Sequence, residues 1–346
     1  MLNSIFGIQP EALSAFLGEY FPAYRSKQLL HWIYGRQVCD PAQMTDLPAD
    51  FKSFIQSSFS FNMPAIRQKN QSRDGSVKFR LALEDQAQIE MVLIPEGRKM
   101  TLCVSSQAGC ARACAFCATG SMRLRRSLEA HEIVQQLLLA RQNSPQPITN
   151  LVFMGMGEPL DNLDNVLEAL KLIQHEAALA FSPRRTTLST CGIVPGIHLL
   201  ADSGVKVKLA VSLNSARDEL RSELMPVNLK YPLPVLKRAL LYYLQKSRYR
   251  VTLEYILIPG VNMGGQDLKA LRKFSGDLAC KINFIPYNPV HGLPYAAPAP
   301  EEVEEFMQRA QSLPQAIMLR HSRGSDIGGA CGQLVVAAQA KNNGGS

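Results

Sequence analysis

No apolar run in the 346-residue sequence approaches the roughly 18 residues that a membrane helix needs, so a helical membrane span is not expected. The first residues, MLNSIFGIQP, lack the basic-then-apolar layout of a signal peptide. Internal repeats are absent. Charged residues are few, 19% against 46% apolar, which excludes a disordered chain and leaves a length sufficient for one large domain or two. A cytoplasmic protein is expected. In that compartment cysteines stay reduced, so they bind metal or do chemistry more often than they staple a fold. What the sequence does have is eight cysteines and a net charge of +8, from 37 basic and 29 acidic residues. The charge suits a polyanionic partner, although a pI near 9 does not by itself require one.

Residues 1–70 read as a small helical domain. Apolar periodicity runs from Ala12 to Phe21 after Pro10-Glu11, then from Tyr24 to Tyr34 with the single tryptophan, Trp32, then to about Phe59 after Thr45-Asp46-Leu47-Pro48. Residues 71–100 form a short antiparallel β extension, in which VKFRLAL, IEMVLIP and MTLCVSS are separated by Asp-Gln and Glu-Gly turns. From 101 to 335, strand candidates alternate with helices. The strands are Thr101–Ser105, Asn150–Met154, Arg185–Ser189, Lys206–Ser212, Val251–Ile258, Lys281–Ile285 and Ala316–Leu319. The alternation predicts parallel pairing in an α/β sheet or barrel, with the active site at the C-terminal strand ends. Residues 336–346 are expected to be a frayed tail.

The sharpest chemical feature is Cys110-Ala-Arg-Ala-Cys114-Ala-Phe-Cys117, three thiols in eight residues just after a strand. No fourth Cys or His follows closely. A structural zinc site wants four ligands in paired short spacings, and a ferredoxin loop supplies a fourth cysteine. Three ligands suit a 4Fe–4S cluster with one iron left open; zinc and three buried free thiols are the alternatives.

The triplet, with an aromatic residue before its last cysteine, resembles the radical S-adenosylmethionine superfamily. There the open iron chelates the methionyl amine and carboxylate, and reductive cleavage gives a 5′-deoxyadenosyl radical. Phe153-Met-Gly155-Met-Gly157-Glu158-Pro159 resembles the superfamily's motif for the methionyl ammonium. Further strings resemble the RlmN/Cfr family of RNA adenine methyltransferases over about residues 10–335. They are Thr101-Leu-Cys103-Val-Ser-Ser-Gln, Ser182-Pro-Arg-Arg185 with Ser189-Thr-Cys-Gly192, Ser222-Glu-Leu-Met-Pro226-Val-Asn228, Asp326-Ile-Gly-Gly-Ala-Cys331-Gly-Gln-Leu334, and the N-terminal Tyr24-Arg-Ser-Lys27-Gln with His31-Trp32-Ile33-Tyr34.

The resemblance implies an α/β fold: a partial (β/α)6 radical-SAM barrel behind the helical domain and the β extension. It implies one 4Fe–4S cluster on Cys110, Cys114 and Cys117, and two S-adenosylmethionine molecules per turnover. The first methylates Cys331. A radical made from the second removes a hydrogen from that S-methyl group, and the carbon radical adds to adenine. Cys103 then releases the product, leaving a Cys103–Cys331 disulfide, with Glu90 accepting a proton. Without the resemblance, Glu90 reads as a solvated carboxylate on a strand face and Cys103 as core. Cofactor contacts carry over to Gly157, Glu158, Ser189, Ser212, Leu213, Asn214 and Asn288. The implied partners are 23S ribosomal RNA, with tRNA as a further substrate, and a low-potential electron donor such as flavodoxin or ferredoxin. A monomer with no membrane partner is expected.

The sequence departs from the family at Asn214, where histidine is usual, at Gly328-Gly329, where Asp-Ala is usual, and after Asn262, where an acidic residue is common. Cys39, Cys191 and Cys280 match no catalytic position. Basic residues gather at Arg123–Arg126, Arg184-Arg185, Lys246–Arg250 and Arg320–Arg323, and the first and last of these border catalytic motifs, where phosphate contact is expected. Tyr287, Tyr295 and Phe116 are candidates for stacking on an unstacked adenine. Asn288 to Tyr295 resembles the carbon-2 branch of the family more closely than the carbon-8 branch. A zinc-holding nucleic-acid-binding module is the alternative from a different class.

Overall fold

A computed structural model describes residues 2–336; the expected tail, beyond Val336, lies outside them. The N-terminal periodicities become α1 (Pro10–Gly18), α2 (Tyr24–Leu30) and α3 (Ala49–Ser58). Proline at the first turn of α1 costs no hydrogen bond there. Leu13, Leu17, Leu29, Phe51 and Ile55 face inward from these helices. Gln9 Nε2 donates to the Glu168 carboxylate at 3.2 Å, which ties the helical region to the barrel's outer face.

The helices stop at Ser58, and a strand, β1 (Ala65–Gln71), begins six residues before the boundary expected at 71. Its sequence AIRQKNQ is almost wholly exposed, so it carries no apolar alternation to read. It pairs antiparallel with β2 (Val77–Ala82), then β3 (Gln88–Glu96), then β4 (Lys99–Cys103). The short pair β5 (Gln107–Ala108) and β6 (Arg126–Ser127) brackets the cysteine loop.

From β4 the sheet becomes parallel. The order β4, β7 (Asn150–Phe153), β8 (Thr186–Thr190), β9 (Lys208–Ser212), β10 (Val251–Leu257), β11 (Cys280–Pro286), β12 (Ala316–Leu319) follows the chain. Between these strands run α4 (Ala130–Asn143), α5 (Leu163–Gln174), α6 (Val194–Asp202), α9 (Leu233–Lys246), α10 (Gly265–Ser275) and α11 (Pro300–Ala310). Six β/α units and a closing edge strand make the expected partial barrel. Two short helices that the sequence reading did not predict, α7 (Asp218–Leu224) and α8 (Val227–Lys230), fill the connection after β9.

Period-2 alternation gives the parallel strands two faces. On β10, Val251, Leu253, Tyr255 and Leu257 are fully buried, while Glu254 and Ile256 line the interior. Glu254 stands level with Ser212 on β9 and Asn283 on β11, so the inner wall carries a polar row. The two ends of the parallel run do not pair. Cys103 on β4 and Arg320, just past β12, line the same cavity, together with Ile94, Thr101 and Cys331.

Candidate active site

The cysteine loop is pinned within its triplet and just after it. Ala115 N–H donates to the carbonyl of Leu224 on α7 at 2.9 Å, and Ala118 N–H donates to the carbonyl of Gly332 at 2.7 Å. Ala113 takes a left-handed backbone, φ +52°, an uncommon conformation for a residue with a Cβ. Cys110, Cys114 and Cys117 all line one cleft. Burial pushes all three thiols up, Cys110 to about 11, since a thiolate there loses its hydration. Arg112 N–H donates to Cys110 Sγ at 3.4 Å, a contact suited to a metal-bound sulfur. No three His, Cys, Asp or Glu among the described residues converge on one ion. The donor set, three cysteines lining one cleft, fits a cluster that leaves one iron open.

Gly157 and Glu158 follow β7. Gly157 has φ +96°, and a Cβ there would fall 2.5 Å from Gln107 Cβ. The next backbone N–H, of Glu158, donates to Gln107 Oε1 at 2.9 Å. Glu158 is buried, and its carboxylate accepts from Leu160 N–H at 3.0 Å and Cys191 N–H at 2.7 Å. Burial raises its pKa while these hydrogen bonds oppose the rise. A bound ammonium group would supply the charge that the site lacks.

Ser189, Ser212, Asn214 and Asn288 line the same cleft. Leu213 does not: its side chain is fully buried in the core, its carbonyl accepts from Arg221 Nε at 3.1 Å, and its N–H donates to the Glu254 carbonyl at 2.9 Å. Side chains alternate across a strand end, so a motif of three consecutive residues cannot aim all three at one ligand. Asn214 sits at φ +57°, a conformation that asparagine tolerates well. Its Oδ1 accepts from Ile256 N–H at 3.0 Å, and its own carbonyl accepts from Asn262 Nδ2 at 2.8 Å. The asparagine in place of histidine is thus built into the junction of β9 and β10.

Cys331 lies on the loop after β12 and lines both cavities, facing the triplet in one and Cys103 in the other. Asn288 Nδ2 donates to its carbonyl at 3.2 Å. Burial pushes the Cys103 thiol up to about 12, and Cys331 nearby adds to the rise. All eight cysteines are free, so the expected Cys103–Cys331 disulfide is not formed here. Glu90, on β3, is buried rather than solvated. It pairs with Lys78 Nζ at 3.1 Å and accepts from Val335 N–H at 3.1 Å, and Lys78 also donates to the Gly328 carbonyl at 3.2 Å. The antiparallel extension therefore grips the Cys331 loop on both sides of the thiol.

Within the basic clusters beside these motifs, Arg126 and Arg320 are turned to internal partners, while Arg123 and Arg125 stay exposed. Arg126 bridges Asp85 and Glu132, Arg125 lies 3.6 Å from Asp85, and Arg320 reaches inward to 3.9 Å from Glu254. Arg123, Arg184 and Arg185 remain exposed. Phe116 and Tyr287 line the triplet cleft, with Tyr295 edge-on to Tyr287 at 5.9 Å. The sequence reading passed over Glu254, a buried carboxylate in the cleft wall whose Oε1 has no hydrogen-bond partner, and Met225 beside Asn214. It also took Cys191 for a bystander, although Cys191 lines the cleft and anchors Glu158 through its backbone.

Two family models match the chain: the Radical SAM superfamily over residues 104–274, and the ribosomal RNA large subunit methyltransferase N-terminal domain over residues 4–59. The dual-specificity RNA methyltransferase RlmN of Geobacter sulfurreducens is 42% identical over 331 residues, covering 95% of this chain and 91% of that protein. A probable dual-specificity RNA methyltransferase RlmN of Thermus thermophilus is 40% identical, covering 97% and 94%. The crystal structure of a radical SAM methyltransferase from Sphaerobacter thermophilus superposes with a TM-score of 0.92 at 36% identity, covering 96% of this chain and 99% of that one.

Proposed function

This chain belongs to the RlmN family of radical S-adenosylmethionine RNA methyltransferases, and from that premise we propose that it methylates carbon 2 of an adenosine in 23S ribosomal RNA, and of tRNA, through an S-methylcysteine at Cys331. The observation that carries this reading is the position of Cys331, which shares one cleft with the cysteine triplet and a second with Cys103.

Cys110, Cys114 and Cys117 would hold the 4Fe–4S cluster, and Glu158, Ser189, Ser212, Asn214 and Asn288 would hold S-adenosylmethionine at the barrel rim. Bound there, the pair supplies a hydrogen-abstracting radical, chemistry that no side chain provides. Adenine carbon 2 is electron-poor and has no acidic hydrogen, so the methyl carbon must arrive as a radical rather than through a nucleophile. Cys331 presents that carbon while bonded to it through sulfur. Cys103 then attacks the Cys331 sulfur: the disulfide forms, the sulfur–carbon bond breaks and its electron pair stays on the carbon, which takes a proton to become the methyl group, while the odd electron left by radical addition would return to the oxidised cluster. Glu90 accepts the ring proton that rearomatisation releases. The N-terminal helices are assigned to RNA contact. The proposal extends to a cytoplasmic monomer that uses two S-adenosylmethionine molecules per turnover and is served by a low-potential donor such as flavodoxin or ferredoxin.

Nucleoside mass spectrometry of 23S ribosomal RNA and tRNA treated with the anaerobically reconstituted protein tests this reading. 2-Methyladenosine is expected. 8-Methyladenosine alone would replace it with the Cfr-like, resistance-conferring activity. A colourless protein with stoichiometric zinc would defeat both.

A further inference from the structure

Arg221, on α7, is 1% exposed and is among the largest fully buried side chains of the protein. Its guanidinium donates four hydrogen bonds: to the carbonyls of Leu213 (3.1 Å), Cys191 (2.8 Å) and Ser212 (3.3 Å), and to Asn228 Oδ1 (2.8 Å). Every acceptor is neutral. The carboxylate of Asp218, one turn back on the same helix, is committed elsewhere, accepting from Asn228 Nδ2 at 3.0 Å and Leu233 N–H at 2.8 Å. A cation buried without an opposite charge is costly, and hydrogen bonds to dipoles repay only part of that cost.

Arg221 borders the cysteine cleft: the Cys191 carbonyl that it holds belongs to a residue lining that cleft together with Cys110, Cys114 and Cys117. The position is fixed from both sides. The Leu224 carbonyl at the end of α7 accepts from Ala115 N–H in the cysteine loop, and a Cβ on Gly192 (φ +105°) would stand 3.3 Å from Arg221 Nη2.

We propose that Arg221 is the built-in counter-cation of the cluster held by Cys110, Cys114 and Cys117, a positioning residue that raises the cluster's reduction potential. The proposal rests on the reading of those three thiols as cluster ligands. A 4Fe–4S core with three thiolates is anionic, and one unit more so when reduced. A fixed positive charge on the helix that holds the cysteine loop, at the edge of the cleft, therefore favours the reduced form, and burial weakens the screening that would mute it. The step concerned is the arrival of one electron from the low-potential donor; no bond forms or breaks in it. Lysine would keep the charge without the planar fork of four bonds.

The test is an anaerobic redox titration of the full-length, cluster-reconstituted protein, followed by electron paramagnetic resonance of the reduced cluster. Arg221→Gln is expected to lower the midpoint potential, and Arg221→Lys to stay near the wild type. The double variant Asp218→Asn/Asn228→Asp places a carboxylate on the guanidinium while keeping the Arg221 donors, and it should lower the midpoint as Arg221→Gln does. It carries the test if Arg221→Gln does not fold. An unchanged midpoint in either cluster-loaded variant would overturn the proposal, as would a lysine variant as low as the glutamine one. A wild-type protein that takes up no 4Fe–4S cluster would instead defeat the cluster reading itself.

Discussion

Asn288 donates a hydrogen bond from its side-chain nitrogen to the carbonyl oxygen of Cys331, 3.2 Å away, and so joins the rim of the barrel to the loop that carries the proposed methyl-bearing thiol. The family resemblance assigns Asn288 to the cofactor alone. In the fold it also holds the backbone on which Cys331 stands.

Asn288→Ala should therefore slow methylation while leaving cluster absorbance unchanged. Loss of one neutral hydrogen bond is worth about 1 kcal/mol, or roughly a fivefold fall in rate, with any lost cofactor contact adding to it. Single-turnover methylation and S-adenosylmethionine affinity, measured on the same variant, separate the two contributions. An unchanged rate would show that the loop does not depend on this contact.

As the proposed proton acceptor, Glu90 should set an acid limit on the reaction. Burial raises its pKa; Lys78, the Val335 N–H and Arg80 pull it back, and the net direction is upward. A proton acceptor must be ionised, so methylation should fall as pH drops through a value above the ordinary glutamate pKa of about 4.3. Lys78→Met removes the closest cation, which raises the Glu90 pKa further and should move the acid limb to higher pH, by about one unit or more. The linkage has the same sign. A carboxyl whose pKa is raised by folding adds stability at low pH, and this is lost as pH rises through its folded-state value. The pH profile of single-turnover methylation checks this, and an unmoved limb would assign the ionisation to another group.

Gly157→Ala should be among the costlier single substitutions. Its φ of +96° disfavours any side chain, and the added Cβ would lie 2.5 Å from Gln107 Cβ, on the strand that leads into the cysteine loop. Backbone strain and overpacking together cost about 3 kcal/mol. Thermal unfolding of the apoprotein measures it; a loss under about 0.5 kcal/mol, the range of ordinary surface substitutions, would mean that the turn relaxes freely.

Much of this arrangement is legible in the sequence, because its signals are local. Parallel strands such as β9 and β10 are short apolar runs bounded by helices, and the cysteine spacing and the Gly157-Glu158 turn are contiguous. What stays hidden is set by partners distant in sequence. β1 carries no alternation because nearly all of it faces solvent. Glu90 reads as a surface carboxylate until Lys78 and Val335 close over it. Arg221 carries no signal in the sequence and Arg320 reads as a phosphate-contacting cation, and only the tertiary fold turns the first toward the Cys191 carbonyl and the second toward Glu254. Leu213 shows the converse: a motif names three consecutive residues, and the pleat sends the middle one into the core.

The two-thiol route is tested most directly by replacing each thiol in turn and analysing protein and RNA together after a single anaerobic turnover. Cys331→Ala should abolish methylation with the cluster intact. Cys103→Ala should accumulate RNA joined covalently to the protein, with the Cys331 peptide carrying adenosine through a one-carbon bridge. Free methylated RNA released over repeated turnovers by Cys103→Ala would contradict the account.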